Sequence, residues 1–471
     1  MSAPVTLSLS GDQHEHLKSF LFPGDGNEAV AVLLCGRRAG ELRTRLLVRE
    51  IHGVPYDLCA VRTPTQVTWQ PDAMHDILER AAASKLSVIK IHSHPTGYSA
   101  FSKTDDEGDR RLLPMLRGWI EADIPHGSAV MLPDGQIFGR VLTEDSKFTP
   151  IYGVNVAGDN LDFWYADMGS AKIPSFVASH AQAFDEGTIE RLGRLVVAVI
   201  GASGTGSPVA EQLVRLGVGT IIIADDDRME DRNVNRILNS TTKDAAERAF
   251  KVDVLADSIE RIGIGTRVIR IKKNLWEPGV VHLVAQSDVV FGCMDSIDGR
   301  YLLNRLASYY CIPYFDIGIR LVADRSEGSR GDVKEVCGTV HYIRPGRSSL
   351  MSRGLFTMDE VGAAGLRRTD PSAHAQQVKD GYIAGAAGNR PAVVSVNMFG
   401  ASLAVNDFLA RLHPYREEPN SAFAATEFSL ASMELYCDPE EGICPILGAK
   451  VGMGDATPIL GLMDFAEARP A

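Results

Sequence analysis

The order of apolar and polar positions changes once along the chain. Through about the first 150 residues, short apolar runs alternate with turns, and four of them are typical of strands: EAVAVLLCG, TRLLVREIHGV, LSVIKIHSH and SAVMLPDGQIFGRVL. The spacing in QPDAMHDILERAAAS predicts a helix. Residues 150–180 have weak periodicity and several Gly and Pro, which indicates the end of a first domain and a linker.

From Arg191 onward, continuous apolar runs alternate with helical patterns. The strand RLVVAVIG, the turn ASGTGS, the helix PVAEQLVRLG and the strand TIIIADDD form one β-α-β unit, typical of parallel strands buried on both faces. TRVIRIKK, SDVVFGCMD and IPYFDIGI continue the sheet, and VVSVNMFGASLAVNDFLARL predicts a long helix packed against it. The fold class is therefore α/β, and a length of 471 residues favours two domains.

Composition and charge narrow the function classes. A net charge of −12 argues against a nucleic-acid binder, because such a protein needs a basic face for phosphates. No apolar run of membrane-spanning length and no signal-peptide pattern appears, so we expect no membrane partner. Seven scattered cysteines do not suggest a disulfide framework, which favours a cytoplasmic protein.

The sharpest local pattern combines His92 and His94 with Ser102 and Asp105, in HSHP followed by SKTD. The two histidines lie two apart after a strand, so their side chains point to one side of the backbone. Two imidazoles and a carboxylate suit zinc and leave a fourth position for water, as a catalytic site requires. Zinc lowers the pKa of that water toward ~7 and polarises a scissile carbonyl. The alternative is that Ser102 and Asp105 only cap a helix.

This motif resembles that of the JAMM (JAB1/MPN) zinc metallopeptidases, over about the first 150 residues. The resemblance implies an α-β-α peptidase fold in which the two histidines and Asp105 bind zinc and Ser102 steadies the oxyanion. It also calls for an upstream glutamate as the general base. Glu28 in GNEAVAVLLCGR matches that position, and Glu50 in the next strand is the weaker alternative.

A second motif, VIGASGTGSPVAEQL, places Gly201, Gly204 and Gly206 between a strand and a helix. Glycines let a backbone approach phosphate, and a helix N-terminus favours the anion. This pattern alone fits equally well a NAD(P)-binding Rossmann turn, in which Asp225 holds the ribose.

The residues that follow favour ATP with magnesium over a dinucleotide. Arginine and lysine suit phosphate oxygens, and aspartate suits the metal. Each such charge taken singly is more often a solvated surface group, but together with the glycines they indicate a nucleotide site. The candidates are Asp225, Asp227, Asn233, Arg236, Lys251 and Asp295.

This set resembles the Rossmann-like adenylation domain of ThiF, MoeB and the ubiquitin-activating enzymes, over about residues 180–471. The resemblance implies that Asp225 binds the ribose and Asp295 holds magnesium. It also implies that the reaction joins the C-terminal carboxylate of a ubiquitin-like protein to AMP. The implied phosphate contacts are Asn233, Arg236 and Lys251.

Cysteines depart from the pattern of those relatives. A structural zinc in many relatives is held by two Cys-x-x-Cys pairs, whereas PGRSSLMSRG has no cysteine and Cys444 stands alone, so we expect no zinc there. Thioester-forming relatives carry a cysteine before the late helix, but residues 348–390 contain none. Cys437 and Cys444 are the nearest candidate catalytic cysteines, and Cys337 lies in a predicted strand. Each is more simply a small buried hydrophobe.

An arginine also departs from the pattern. Relatives often carry an R-Q pair before the glycine loop, whose arginine reaches the phosphates across a dimer, but this chain has SHAQAF there. Arg191 and Arg194 are the candidate substitutes. A homodimer remains the expected assembly.

The chain is thus expected to contain a JAMM-type peptidase in residues 1–165 and a ThiF/MoeB-like adenylation domain in residues 166–471. The leading hypothesis is a bifunctional enzyme that trims or removes a bacterial ubiquitin-like protein and adenylates its C-terminal glycine, with zinc, ATP and magnesium as cofactors. One alternative is activation of a sulfur-carrier protein as a thiocarboxylate. Another is an inactive scaffold that binds ubiquitin-like folds. The expected partners are the carrier protein and a separate conjugating enzyme.

Overall fold

A computed structural model describes residues 3–70, 74–120, 122–143, 145–169, 175–323, 333–380 and 392–466. The chain forms two compact units. The first comprises Met1–Ser170, Ser308–Cys311 and Lys450–Ala471. The second comprises Ala171–Ala307 and Ile312–Ala449.

The described part of the first unit is built on a nine-stranded sheet in the order β11-β10-β1-β3-β2-β6-β7-β8-β9. Its strands are β1 (Val5–Ser10), β2 (Val30–Arg38), β3 (Thr44–Gly53), β6 (Ser87–Ser93), β7 (Gly127–Met131), β8 (Ile137–Leu142), β9 (Phe148–Pro150), β10 (Gly153–Ala157) and β11 (Leu161–Tyr165). A separate hairpin pairs β4 (Cys59–Thr63) with β5 (Gln66–Trp69). The helices are α1 (Gly11–Leu21), α2 (His75–Ala83) and α3 (Lys103–Ile120).

Both faces of this sheet are buried. Successive side chains of a strand point to opposite sides, so neighbouring residues pack in different cores. Along β2, Ala31 and Leu33 pack in a core with Leu17 of α1. The alternate residue Val32 packs in a second core with Leu113 of α3. Helices therefore cover both faces, and polar groups that need solvent or a ligand are left to the strand ends.

The described part of the second unit contains an eight-stranded sheet in the order β14-β13-β12-β15-β16-β17-β18-β19. Its strands are β12 (Val196–Ile200), β13 (Thr220–Ala224), β14 (Arg267–Ile271), β15 (Val289–Gly292), β16 (Tyr314–Ala323), β17 (Val333–Ile343), β18 (Ala425–Ser429) and β19 (Glu434–Asp438). Its helices are α4 (Ala178–Arg194), α5 (Gly206–Arg215), α6 (Thr242–Ala246), α7 (Lys251–Ile262), α8 (Pro278–Val284), α9 (Ile297–Tyr309), α10 (Met358–Thr369), α11 (Pro371–Lys379) and α12 (Val394–Leu412).

The first five strands of that order are parallel, from β14 to β16, and the last three are antiparallel. Every residue of β12 is buried, as its unbroken apolar sequence predicts. The α/β fold class is confirmed in both units. Among the described helices, none is long and apolar enough to cross a membrane.

The sequence pattern did not predict every element, as three places illustrate. Residues 150–180 were expected to form the end of the first domain and a linker, and they contain two strands of the first sheet, β10 and β11. The segment predicted as one helix from Gln70 is helical only over α2, and its residues 71–73 lie outside the described chain. Helices α10 and α11 were not predicted at all.

Candidate metal centre and nucleotide site

The period of strand β6 brings the candidate zinc ligands to one face. Val88 of this strand faces the core that contains α3, so Lys90, His92 and His94 follow on the same side. Asp105 lies in the first turn of α3. Its backbone N–H donates to Ser102 Oγ (3.1 Å), and Ser102 N–H donates to Asp105 Oδ2 (2.7 Å). The capping interaction is thus present, and it orients the Asp105 carboxylate.

Three side chains converge at this point. His92 Nε2 lies 3.0 Å from His94 Nε2 and 2.9 Å from Asp105 Oδ1. His94 Nε2 lies 3.6 Å from Asp105 Oδ2. Both imidazoles are almost fully buried, and burial lowers the pKa of His92 to about 4, so its ring is neutral near pH 7.

The donor set fits a zinc ion. His94 Nδ1 donates to the carbonyl of Tyr98 (2.6 Å), so His94 Nε2 carries a lone pair toward His92. Two imidazole nitrogens and a carboxylate within 4.8 Å of one another match the ligand types and number of a catalytic zinc centre. The other such group among the described residues is Asp225–Asp227, which is largely exposed.

Sheet register places Glu28 beside this centre. Val30 of β2 pairs with His92 of β6, so the residue two before Val30 lies opposite the residue two after His92. Ser93 Oγ accepts from Ala29 N–H (2.9 Å) and holds the segment in place. Burial raises the pKa of Glu28 to about 7.

The hairpin β4–β5 also contacts Glu28. The Glu28 N–H donates to the carbonyl of Thr63 (2.9 Å), and the Val67 N–H bonds its carboxylate. The alternative, Glu50, lies on β3, one strand farther from β6. Its carboxylate pairs with His52 (2.9 Å) and with Arg80 of α2 (3.3 Å). The geometry therefore brings Glu28, not Glu50, next to the histidines.

A buried ionic network ties α3 to β6, and the sequence analysis did not find it. Asp109 lies one turn after Asp105 and is fully buried. Its carboxylate accepts from Lys90 Nζ (2.5 Å) and from Arg140 Nη2 (2.6 Å). Arg140 Nη1 also lies 2.5 Å from Asp106 Oδ1. Because Lys90 precedes His92 by two and Asp109 follows Asp105 by four, this network fixes the helix that presents the third ligand.

In the second unit, the glycine loop leaves no room for side chains. Gly201 has φ +99°, and a methyl group there would lie 2.8 Å from the carbonyl oxygen of Cys293. A methyl group on Gly206 would lie 1.7 Å from the carbonyl oxygen of Gly201. One on Gly204 would lie 2.2 Å from Asn397 Nδ2. The loop is therefore a tight turn into α5, the geometry that presents backbone N–H groups to an anion.

Asp225 follows β13 and closes the loop from the side. Its carboxylate accepts from the N–H groups of Ala202 (2.7 Å) and Asp227 (2.8 Å). Burial raises the pKa of Asp225. Asp227 Oδ2 lies 2.5 Å from Lys251 Nζ at the start of α7. Asn233 is buried and uses its Oδ1 to accept from the Glu230 N–H (2.9 Å).

Arg236 and Asp295 complete the carboxyl end of the sheet. Arg236 packs against Gly204, since a methyl group built on this glycine would lie 3.2 Å from Arg236 Cδ. The Arg236 guanidinium interacts electrostatically with Asp295. Asp295 lies in the loop between β15 and α9. The predicted nucleotide residues thus surround the ends of β12, β13 and β15.

The candidate cysteines lie elsewhere. Cys437 is exposed on the edge strand β19, four strand spacings or about 19 Å from β15 across the sheet. Cys444 is 1% exposed and accepts from Ser349 Oγ (3.2 Å). Cys337 lies on β17. The geometry does not bring any of them together with the glycine loop.

The candidate arginines both lie in the last turn of α4. Arg194 Nη2 lies 2.6 Å from Glu190 Oε1, so its charge is already paired within the helix. Arg191 makes no ion pair with any residue that the structure describes.

Comparison with protein families agrees with the two family resemblances. A model of the ThiF family matches residues 177–436, more than half of the chain. The chain belongs to the ThiF family. A model of the prokaryotic homologs of the JAB domain matches residues 16–139, so the ThiF domain is fused to a JAB domain, as the motifs predicted.

Similar curated proteins match the ThiF part. The chain is 34% identical over 116 residues to the adenylyltransferase and sulfurtransferase UBA4 of Meyerozyma guilliermondii, covering 24% of this chain and 27% of that protein. It is 25% identical over 210 residues to ubiquitin-like modifier-activating enzyme 5 of Aedes aegypti, covering 42% of this chain and 49% of that protein. It is 32% identical over 132 residues to the SAMP-activating enzyme E1 of Haloferax volcanii, covering 27% of this chain and 48% of that protein. The chain therefore spans from about a quarter to half of the length of these relatives.

Solved structures also align with the chain. A crystal structure of E. coli MccB with ATP aligns with 59% of this chain and 74% of that chain, at 16% identity and a TM-score of 0.43.

The buried network makes Asp109→Asn a strongly destabilising change. The substitution leaves Lys90 and Arg140 without their shared buried anion, and breaking such a pair costs about 3–5 kcal/mol. We expect the midpoint of urea unfolding to fall. Unfolding is measured by tryptophan fluorescence, since Trp69, Trp119 and Trp164 report on the first unit. Asp106→Asn at a half-exposed position is the control, and we expect it to shift stability by less than about 1 kcal/mol. Equal effects of the two changes would contradict a central role for Asp109.

The tight glycine loop makes Gly206→Ala a test of the nucleotide site. The new methyl group meets a backbone carbonyl that cannot move aside, so the turn must open, and we expect MgATP affinity in calorimetry to fall more than about tenfold. The matched control is Gly279→Ala on α8, where a methyl group meets nothing within 4 Å. An unchanged affinity in Gly206→Ala with circular dichroism unaltered would remove the loop from the site.

Proposed function

We propose that this chain is a bifunctional enzyme of a ubiquitin-like protein system. Its JAB unit acts as a zinc-dependent peptidase that trims or removes the ubiquitin-like protein, and its ThiF unit adenylates the C-terminal glycine carboxylate with ATP. The observation that carries the proposal is the convergence of His92, His94 and Asp105 beside Glu28, on a chain that also contains the ThiF glycine loop.

In the peptidase site, His92, His94 and Asp105 hold zinc. The bound ion supplies Lewis acidity to a scissile carbonyl and to water. Glu28 acts as the base that accepts a proton from water and passes it to the leaving amine, a role favoured by a pKa near 7. The Ser102 hydroxyl donates a hydrogen bond to the oxyanion. Its oxygen accepts from the Asp105 N–H, which leaves the hydroxyl hydrogen available for this bond.

In the adenylation site, the glycine loop and the N-terminus of α5 hold the phosphates of ATP. Arg236 and Lys251 neutralise charge on the phosphate oxygens, and Asp295 holds magnesium. The substrate carboxylate attacks the α-phosphorus, an acyl-phosphate bond forms, and pyrophosphate leaves. Positioning and charge neutralisation supply most of the catalysis in such a transfer.

The positions of the two candidate catalytic cysteines favour an external acceptor for the adenylate. Cys437 lies on the far edge strand and Cys444 is buried, so neither is suited to attack an adenylate formed beside Asp295. A sulfur donor is one such acceptor, which keeps activation of a sulfur carrier as the second candidate function. The curated name of the UBA4 relative includes a sulfurtransferase, which supports that candidate.

Glu28→Gln tests the peptidase proposal. The amide keeps the shape of the side chain but cannot accept the proton, so we expect hydrolysis to fall about 10²–10⁴-fold while zinc content stays near one per chain. The assay follows release of aminocoumarin from a peptide that ends in Gly-Gly. Glu50→Gln is the matched control, and we expect it to retain activity. Loss of activity in Glu50→Gln alone would assign the base to β3.

Lys251→Met tests the adenylation proposal. The change keeps the length and apolar stem of the side chain but removes the charge, so we expect ATP–pyrophosphate exchange to fall about 10–100-fold. Exchange is measured with a panel of ubiquitin-like proteins that end in glycine. Lys273→Met, at an exposed lysine paired with Glu277, is the control. No exchange with any member of the panel would argue against the conjugation function.

A further inference from the structure

A buried asparagine of α12 contacts the glycine loop, and no motif points to it. Asn397 lies in the first turn of α12 and is 5% exposed. A methyl group on Gly204 would meet both Asn397 Nδ2 at 2.2 Å and Arg236 Cδ at 3.2 Å. The loop, the segment after Asn233 and the start of α12 therefore meet at one point, although α12 begins about 190 residues after the loop.

The side-chain amide of Asn397 has no hydrogen bond to any residue that the structure describes, although its backbone N–H donates to the Val393 carbonyl (3.1 Å). Other equally buried asparagines of this unit are bonded. Asn304 Nδ2 donates to the Arg300 carbonyl (2.8 Å), and Asn420 Nδ2 donates to the Ala410 carbonyl (2.9 Å). The rest of Asn397 is buried, but its amide atoms are not fully buried, so the amide is accessible beside the loop and can bond a ligand there.

The surroundings of the amide select the ligand. Gly204 belongs to the loop that leads into the N-terminus of α5, which favours an anion, and Arg236 brings a cation to the same place. An asparagine amide is a neutral donor that binds phosphate oxygens well. We propose that Asn397 donates a hydrogen bond to the phosphate chain of the nucleotide on this loop. The inference rests on the proposed adenylation function.

The test compares nucleotides with and without phosphates. MgATP, AMP and adenosine are titrated into the full chain and into Asn397→Ala and Asn397→Asp, with binding measured by calorimetry. Loss of one hydrogen bond predicts a 3–10-fold weaker affinity for MgATP in Asn397→Ala. A carboxylate beside the phosphates predicts a loss of more than about 30-fold in Asn397→Asp. Adenosine affinity is expected to stay within twofold in both variants.

Two controls separate binding from folding. Asn406→Ala changes an exposed asparagine of the same helix, whose Nδ2 donates to the Ser402 carbonyl (2.8 Å), and it is expected to bind MgATP normally. Asn397→Ser keeps a small polar side chain, so it serves if the alanine variant does not fold, and it is expected to weaken MgATP less than Asn397→Asp does.

Three outcomes overturn the inference. Unchanged affinities for MgATP and AMP in Asn397→Ala would show that the amide does not reach the phosphates. An equal loss for adenosine would show that Asn397 only shapes the loop. If the unaltered chain binds no MgATP, the adenylation function itself is refuted, and the assignment of Asn397 falls with it.

Discussion

Burial of both sheet faces is the constraint on which the rest of the structure depends. A strand covered by helices on both sides has few places for polar groups along its length, because a polar group there loses its water and is destabilising unless it gains a partner. The chemistry is therefore confined to strand ends. His92 and His94 lie where β6 ends, and Glu28 lies just before β2 begins. In the second unit, the glycine loop and Asp225 follow directly after β12 and β13.

The same constraint explains how much of the fold the sequence could predict. Unbroken apolar runs such as β12 have few alternatives to a buried parallel strand, and the glycines after it have few alternatives to a tight turn. The strands β10 and β11 were not predicted because each has only five residues, and because β10 is defined by its pairing with β1 over a long separation in sequence. Local periodicity does not contain that information.

Candidate site residues were predicted where the pattern of a resembled family contains them. His92, His94 and Asp105 are close together in the chain, whereas Lys90 and Arg140 meet Asp109 only through the fold. Charge alone could have raised Asp109 as a candidate, since it repeats one helical turn after Asp105. Asn397 gives no such signal, because its partner is a glycine loop about 190 residues earlier.

A partly buried ion pair joins the segment PGRSSLMSRG to the chain four residues before Cys444. Arg353 Nη2 lies 3.1 Å from Glu440 Oε2, and Arg353 Nε donates to Ser348 Oγ (2.8 Å), which donates in turn to Glu440 Oε1 (2.5 Å). The planar guanidinium has five donors, so one side chain can cross-link several segments, as a metal ion does with thiolates. Burying the pair has a desolvation cost, which these extra hydrogen bonds offset. Cys444 packs against Ser349 at the edge of this cluster, which accounts for its burial.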